Sequence, residues 1–318
     1  MDHSKPARRI EQKQYLAPED HERILELSTL CARHDNIALK LELDFKLADA
    51  AHQVPGSRGA DVDEFLYYDN GQLIGYFGIC SFGGIIDPPE LTGMVHPARR
   101  CQGVFSQLLK MAMEECKRRS AETVRLLCDH NSTSGREFLD QTGAVYSYSE
   151  YELHWHPESN ECSAKLRSDI TFRKASNADA GEIARQNAIY FRDHDEAENE
   201  KGPTEALLLP EEEEKKGMTI WLAEMDGVII GKVHLQLTNG VGGIYGLGIL
   251  PQFRGKGYGR TILQKSVEIL RESPAQEILL QVDTANGTAL NLYKSCGFQV
   301  TSVMDYYTLN TQLKEGTK

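Results

Sequence analysis

The sequence predicts a mixed α+β protein built as two tandem copies of one domain, each a central mixed β-sheet flanked by helices. Three observations carry that prediction. First, a chain of 318 residues has the length of two domains at roughly 100–200 residues each. Second, residues 90–119 and 244–272 read alike. Pro97 and Pro251, Arg100 and Arg254, Gly103 and Gly257, Asp129 and Asp283, and Gly143 and Gly297 are all separated by the same 154 positions. A gapless repeat this long duplicates a whole domain, not a solenoid unit. Third, within each copy, stretches of alternating apolar and polar residues give way to stretches with an apolar residue every three to four positions. These are the periods of strand and helix.

Copy one is expected over residues 8–156. Its first hairpin turns at Asn70–Gly71, a dipeptide suited to a two-residue turn. A strand over 90–96, a helix over 104–118, a strand over 123–128, a further helix and a final hairpin-like pair ending near His156 follow. Residues 157–168 are polar and turn-rich and read as a linker. Copy two, over 169–310, opens with a strand at 170–176, and Asn177 or Asp179 suits the cap of the helix after it. Its hairpin turns at Asp226–Gly227, its third strand spans 244–250, and Ile262, Leu263, Val267 and Leu270 mark a helix over 258–271. A strand over 277–283, a helix and a hairpin-like pair close the copy.

Composition narrows the function. At 40% apolar and 26% charged residues the chain has the material for packed cores. Lys+Arg number 35 against Asp+Glu 47, giving −12, which disfavours nucleic acid or an anionic membrane as partner. An anion held by uncharged backbone amides remains open. No apolar run reaches the roughly 20 residues of a membrane helix, and the N-terminus has no secretory signal. Seven cysteines, an odd number with no CxxC pair, read as reduced thiols of a cytoplasmic protein. Asn131 and Asn286 then carry no glycan. His154 and His156 are too few for a metal site, and no metal is expected.

The sharpest local feature is Arg254-Gly255-Lys256-Gly257-Tyr258-Gly259, placed between a strand and a helix. Glycines permit close backbone approach and positive φ, and successive N–H groups at a helix start make an anion site. A phosphate or pyrophosphate is the expected ligand. A Walker loop and a Rossmann fingerprint both fail on pattern, since neither GxxxxGK[ST] nor GxGxxG occurs there.

Arg254, Gly257 and Gly259 fit the Q/R-x-x-G-x-G/A turn of the GCN5-related N-acetyltransferases, and the chain resembles that superfamily in its tandem two-domain form. The resemblance continues in Asn286, Ala289, Tyr293, Gly297 and Phe298, which fit the family's N-x-x-A-x-x-x-Y-x-x-x-G-F segment. It implies two domains of that fold and an acetyl-CoA-dependent N-acetyltransferase acting on a primary amine of a small acceptor. Leu247, Gly248 and Ile249 would pair with the pantetheine arm, the turn Arg254–Gly259 would wrap the pyrophosphate, and Asn286 would join them. Tyr293 would protonate the departing sulfur.

Copy one keeps Arg100 and Gly103, has Val95 and Val104 at the positions of Ile249 and Tyr258, has Phe105 in place of Gly259, and has Leu139 in place of Tyr293. The resemblance therefore implies that it shares the fold, offers a second cofactor-class site and is not catalytic. The base is divided between the copies. Glu90 stands where copy two has Ile244, and His234 is the other candidate, acting through water. Acidic runs at 193–200 and 211–214 suit a cationic acceptor. Two alternatives stay open: a non-catalytic acyl-CoA-binding sensor, and transfer to a protein lysine or N-terminus. Oligomeric state is left open.

Overall fold

The computed structural model describes residues 8–52, 61–80, 88–159, 166–190 and 208–312. The first repeat contributes β1 (Arg8–Lys13), α1 (Pro18–Asp35), α2 (Leu43–His52), β2 (Glu64–Asp69), β3 (Gln72–Cys80), β4 (Glu90–Val95), α3 (Val104–Arg118), β5 (Thr123–Asp129), α4 (Thr133–Thr142) and β6 (Val145–Trp155). The second contributes β7 (Thr171–Lys174), α5 (Ala180–Tyr190), α6 (Pro210–Lys215), β8 (Met218–Met225), β9 (Val228–Thr238), β10 (Val241–Ile249), α7 (Tyr258–Glu272), β11 (Glu277–Asp283), α8 (Gly287–Ser295) and β12 (Phe298–Asn310).

Two compact units result, Met1–Glu150 with Ser302–Lys318, and Tyr151–Thr301. The division expected at 157–168 is not where they part. They part inside β6 and again inside β12, so the described residues from 302 onward belong to the first unit. The hairpin-like pairs expected at the end of each copy are single strands of 11 and 13 residues. The reason is local: neither strand holds a Gly, Pro or Asn before its last residue, so neither has a place to turn.

In the first unit the strands pair in the order β1-β2-β3-β4-β5, closed by residues 304–310 of β12 antiparallel to β5. β2 is buried along its whole length, because helices cover both faces of the sheet. Leu108, Ala112 and Cys116 of α3 fill one side with Phe65, Ile74 and Phe77. Ile24, Leu27 and Cys31 of α1 fill the other with Leu66, Tyr68 and Tyr76. Each large apolar side chain so buried contributes about 1.5–3 kcal/mol.

The second unit repeats the plan, in the order β11-β10-β9-β8-β7, with β6 beside β11. Ile262, Leu263, Val267 and Leu270 of α7 pack on one face, as their spacing predicts. Ile183 of α5 packs on the other, with Ile220 and Leu222. Asn70–Gly71 and Asp226–Gly227 take positive φ at both residues (50° and 83°; 50° and 78°), the paired left-handed turn that their dipeptides favour.

Both sheets open at the same place. β4 pairs in parallel with β5 only at Glu90 and Leu91. β10 pairs in parallel with β11 only from Val241 to Ile244. Beyond those residues one edge of each strand is left without its ladder partner. A chain ending at Thr301 loses the strand that closes β5, and with it Leu309 from the core. Hydrogen-exchange mass spectrometry is then expected to show the amides of β5 exchanging about tenfold faster or more, equal to about 1.4 kcal/mol of local opening, while β9 keeps its protection. Unchanged β5 protection would refute the assignment of β12 to this unit.

Candidate functional site

The second unit builds its site from the open edge of β10 and the turn after it. Leu250 N–H donates to Ile230 O (2.9 Å) on β9. Strand alternation therefore turns the Ile249 N–H to the other edge, the one β11 has left. Arg254 folds back and donates from Nε to Ile249 O (2.9 Å), tying the turn to the strand end. Gly255 and Gly257 have φ of 73° and 86°, and space is open where a Cβ of either would stand. Gly257 is the N-cap of α7 and has no side chain to satisfy the first-turn amides. Among the described residues, the amides of residues 255–259 donate to no backbone carbonyl outside the helix. The combination is a concave array of N–H groups at a helix start, which fits a diphosphate.

Side chains around this turn have other work. Tyr258 is buried, and its hydroxyl donates to Asp169 (3.2 Å) under the Arg167 guanidinium, so only its amide faces the turn. Lys256 Nζ donates to Gln252 O (3.0 Å). Asn286 caps α8 by accepting from the Ala289 amide (3.1 Å). Gly259 lies 3.4 Å from Leu292 at the position of its would-be Cβ, which seats α7 against α8. Leu247 packs at the margin of the core. A Cβ at Gly248 would collide with the Tyr190 ring at 2.2 Å, so that ring of α5 lies directly over the strand.

The first unit reproduces the arrangement at the same offset. Arg100 Nε donates to Val95 O (3.2 Å) as Arg254 does to Ile249, and its guanidinium is also paired with Asp35. Gly103 (φ 76°) caps α3, and Cys101 takes φ 57° where copy two has Gly255. Ser132 caps α4 through the Gly135 amide (3.2 Å), as Asn286 caps α8. A cleft of about 500 Å³ lies here, lined by Val95, Arg100, Gly103, Val104, Phe105, Ser132 and Leu139 among others. Phe105 fills part of its wall edge-to-face with Phe77 and Phe138 (5.3 and 4.7 Å). The cleft gathers the counterparts of Ile249, Arg254, Gly257, Tyr258, Gly259, Asn286 and Tyr293.

The titratable candidates separate clearly. Tyr293 is 9% exposed in the core beside Phe298 (6.3 Å between rings). Burial pushes its phenol up to about 12. Its hydroxyl has no hydrogen-bond partner among the described residues. Glu90 is buried on β4, and Lys40 approaches its Oε2 to 3.8 Å, too long for a hydrogen bond. Burial raises its pKa. Lys40 in turn donates to Tyr306 (2.7 Å), which donates to Glu150 (2.5 Å). Glu90 thus belongs to a buried network of the first unit.

His234 is half-buried on β9, and its Nε2 is 3.2 Å from Lys232 Nζ. Burial first, and then the Lys232 charge, push its pKa down to about 3.

Lys232 itself was missed at the level of sequence, as was the buried trio in which Lys46 donates to Glu64 (2.8 Å) and Tyr76 donates to Glu64 (2.6 Å). The signal for Lys232 was present: a single cation inside the apolar strand VIIGKVHLQLT. The acidic run 211–214 lies on α6, where Glu211 meets Asn177, and Glu212, Glu213 and Glu214 pair with Lys215, Lys216 and Lys174. The run 193–200 and Cys162 lie outside the described residues. His154 is engaged with Glu152 (3.3 Å). Among the described residues, no three His, Cys, Asp or Glu side chains gather as a metal site, and no helix is long and apolar enough to cross a membrane.

Comparison with known proteins agrees with this geometry. The model of the acetyltransferase (GNAT) family matches twice, over residues 23–144 and 184–298. A mycothiol acetyltransferase from Thermobispora bispora is 25% identical over 88% of this chain and 93% of its own. One from Streptomyces coelicolor is 26% identical over 92% of each. A GCN5-related N-acetyltransferase from Sphaerobacter thermophilus has the same fold, with a TM-score of 0.73 at 19% identity over 95% of this chain and 96% of that one. A tandem GNAT protein of the clavulanic acid pathway superposes with a TM-score of 0.70 at 14% identity, over 97% of this chain and all (100%) of that one. For the first unit's buried trio, Glu64→Gln is expected to lower stability by about 3–5 kcal/mol in urea unfolding, because the Lys46 ammonium stays buried without its carboxylate. A loss below about 1 kcal/mol would show that the pair carries little of the fold.

Proposed function

The chain belongs to the acetyltransferase (GNAT) family, and from that premise we propose that its second copy transfers an acetyl group from acetyl-CoA to a primary amine of a small acceptor. The observation that carries this is the pairing of an open β10 edge with turn amides that, among the described residues, donate to no backbone carbonyl outside the helix. Leu247, Gly248 and Ile249 would hold the pantetheine arm, and the amides of Gly255 to Gly259 the diphosphate, with Arg254 bracing the turn. The Ile249 N–H would donate to the thioester carbonyl, where charge builds as the amine attacks. Tyr293 stays protonated through neutral pH and would give its proton to the leaving sulfur. Holding both reactants at this edge supplies a large share of the rate by itself. The relatives named mycothiol acetyltransferase, similar over most of both chains, support a small-molecule acceptor.

The first copy has its own cleft of about 500 Å³ on the matching positions, which supports a second site of the same ligand class at Val95, Arg100, Gly103, Val104 and Phe105. Leu139 offers no proton where Tyr293 stands in copy two, so this site would bind and not turn over.

In a thiol-release assay with acetyl-CoA and a panel of small primary amines, Tyr293→Phe is expected to lose about 10²-fold or more in kcat while acetyl-CoA affinity holds. Full turnover in that variant removes Tyr293 from the acid role. In isothermal titration with acetyl-CoA, Gly257→Glu places a side chain and a negative charge on the left-handed cap and is expected to abolish binding by the second copy. Gly103→Glu is expected to do the same for the first. Undiminished binding in Gly257→Glu would remove the turn from the ligand, and binding without thiol release across the panel would favour a sensor.

A further inference from the structure

We propose that Lys232 and His234 of β9 act together as the proton acceptor for the incoming amine in the second copy, His234 touching the amine and Lys232 positioning the ring and receiving the proton behind it. The inference rests on the catalytic reading of that copy.

Geometry places the pair beside the reacting segment. Lys232 is directly opposite Gly248 in the β9–β10 ladder, and His234 is opposite Tyr245. Between those two positions β10 bulges, and Gly246 takes φ 54°. The bulge delivers the Gly246 carbonyl to Lys232 Nζ at 3.3 Å, while His234 Nε2 lies on Nζ at 3.2 Å. Lys232 has no exposed surface, whereas His234 is part-exposed. The imidazole is therefore the member that meets a solute, through Nδ1 once Nε2 is turned to the lysine.

Both residues project to the α5 face. Gly231 between them and the strand start points to α7, since its would-be Cβ meets Ile249 and Ile262. The Tyr190 ring of α5 lies 5.7 Å from Nζ. The reaction edge of β10 is thus approached from α7 by the turn and from the opposite face by the lysine and histidine.

The repeat shows what is special here. The ladders pair Lys232 with Gly248 and Tyr76 with Met94, so Lys232 corresponds to Tyr76 and His234 to Gly78, where a Cβ would meet Lys46 Nζ at 2.6 Å. The first copy therefore also places a buried ammonium beside this pair of positions, but sends it from α2 and fixes it to Glu64 and Tyr76. An ammonium bound to a carboxylate has no reason to give up its proton. In copy two the same place holds a lysine bonded to an imidazole. Burial pushes this lysine down to about 8, so near neutral pH it is poised between amine and ammonium.

Among the described residues, the groups facing the pair come from every packed element. Tyr190 faces it from α5, with Gln186 and Glu182 linked behind that ring. Tyr245 faces it from β10, and Arg254 acts on Tyr190 from the turn. β8 sets only Leu222 and Ile220 opposite.

The proton bookkeeping closes. The acceptor ammonium gives a proton to His234 Nδ1, and Nε2–H passes one to the neutral Lys232 amine. The freed amine attacks the thioester carbon, its C–N bond forming as the C–S bond breaks. The sulfur leaves with the proton of Tyr293, and the second proton shed by the nitrogen as the amide forms returns to the Tyr293 oxygen. Lys232 then returns its proton to solvent through His234. Turnover must therefore rise with pH as Lys232 loses its proton, with a midpoint near 8.

The test uses the full chain and two readouts. In cofactor-free protein, the ¹⁵N ring signals of His234, assigned by their loss in His234→Asn, are expected to shift with a midpoint near pH 8. In the thiol-release assay, kcat is expected to rise over the same range. Lys232→Arg keeps the cation but cannot deprotonate. It is expected to lose about 10²-fold in kcat, with KM for the amine and acetyl-CoA affinity within about twofold of wild type, and to lose both pH transitions. Lys232→Met serves as the second variant, with a melting curve to confirm folding. Retention of turnover and of the pH limb in a folded Lys232 variant overturns the proposal. A silent His234 signal in an active enzyme overturns the pair alone. A wild type that releases no thiol with any amine overturns the catalytic reading beneath it.

Discussion

The parting of β10 from β11 after Ile244 is the constraint on which the geometry of the second unit's candidate site depends. A strand inside a sheet normally has both edges satisfied, and leaving one edge bare exposes N–H and C=O groups that need partners. The chain keeps the rest of the strand in place by other means. β9 holds the far edge, Arg254 clamps the Ile249 carbonyl, and the Tyr190 ring covers Gly248. What remains available is a short run of main chain ending at an uncapped helix start. A ligand that is extended at one end and anionic at the other matches both features at once.

The two copies show which parts of this design are architecture and which are chemistry. The clamp from arginine to strand carbonyl, the left-handed cap glycine and the side-chain cap of the last helix recur at every corresponding position. These are backbone requirements and tolerate little change. Other positions do change: Tyr293 becomes Leu139, Gly259 becomes Phe105, and Lys232 becomes Tyr76, whose hydroxyl meets a lysine sealed by a carboxylate. The backbone of the turn is kept in both copies, and the side chains around it are not.

Much of this was legible in the sequence because it is local. Helix α3 spans the residues its periodicity marks, and α7 runs one residue beyond. Asn–Gly and Asp–Gly turn where dipeptide chemistry says they should, and the Arg–Gly–Lys–Gly turn falls between strand and helix. What was not legible depends on contacts distant along the chain. Nothing in VYSYSEYELHW tells that its first half and second half serve different units. Lys232 reads as an ordinary strand cation until β10 bulges against it, and Asn286 reads as a ligand group until its cap is seen. Tyr190 gave no sign at all, because its role is set by the missing side chain of Gly248.

The strand that completes the first unit follows the whole of the second unit along the chain. Residues 302–310 add to β5 only after the whole of Tyr151–Thr301 has left the ribosome, a wait of roughly 8–30 seconds at about 5–20 residues per second. Until then the N-terminal half stands with a bare flank at Thr123–Asp129, open to chaperones or to stray strands from neighbouring nascent chains. The half made first is thus completed after its neighbour.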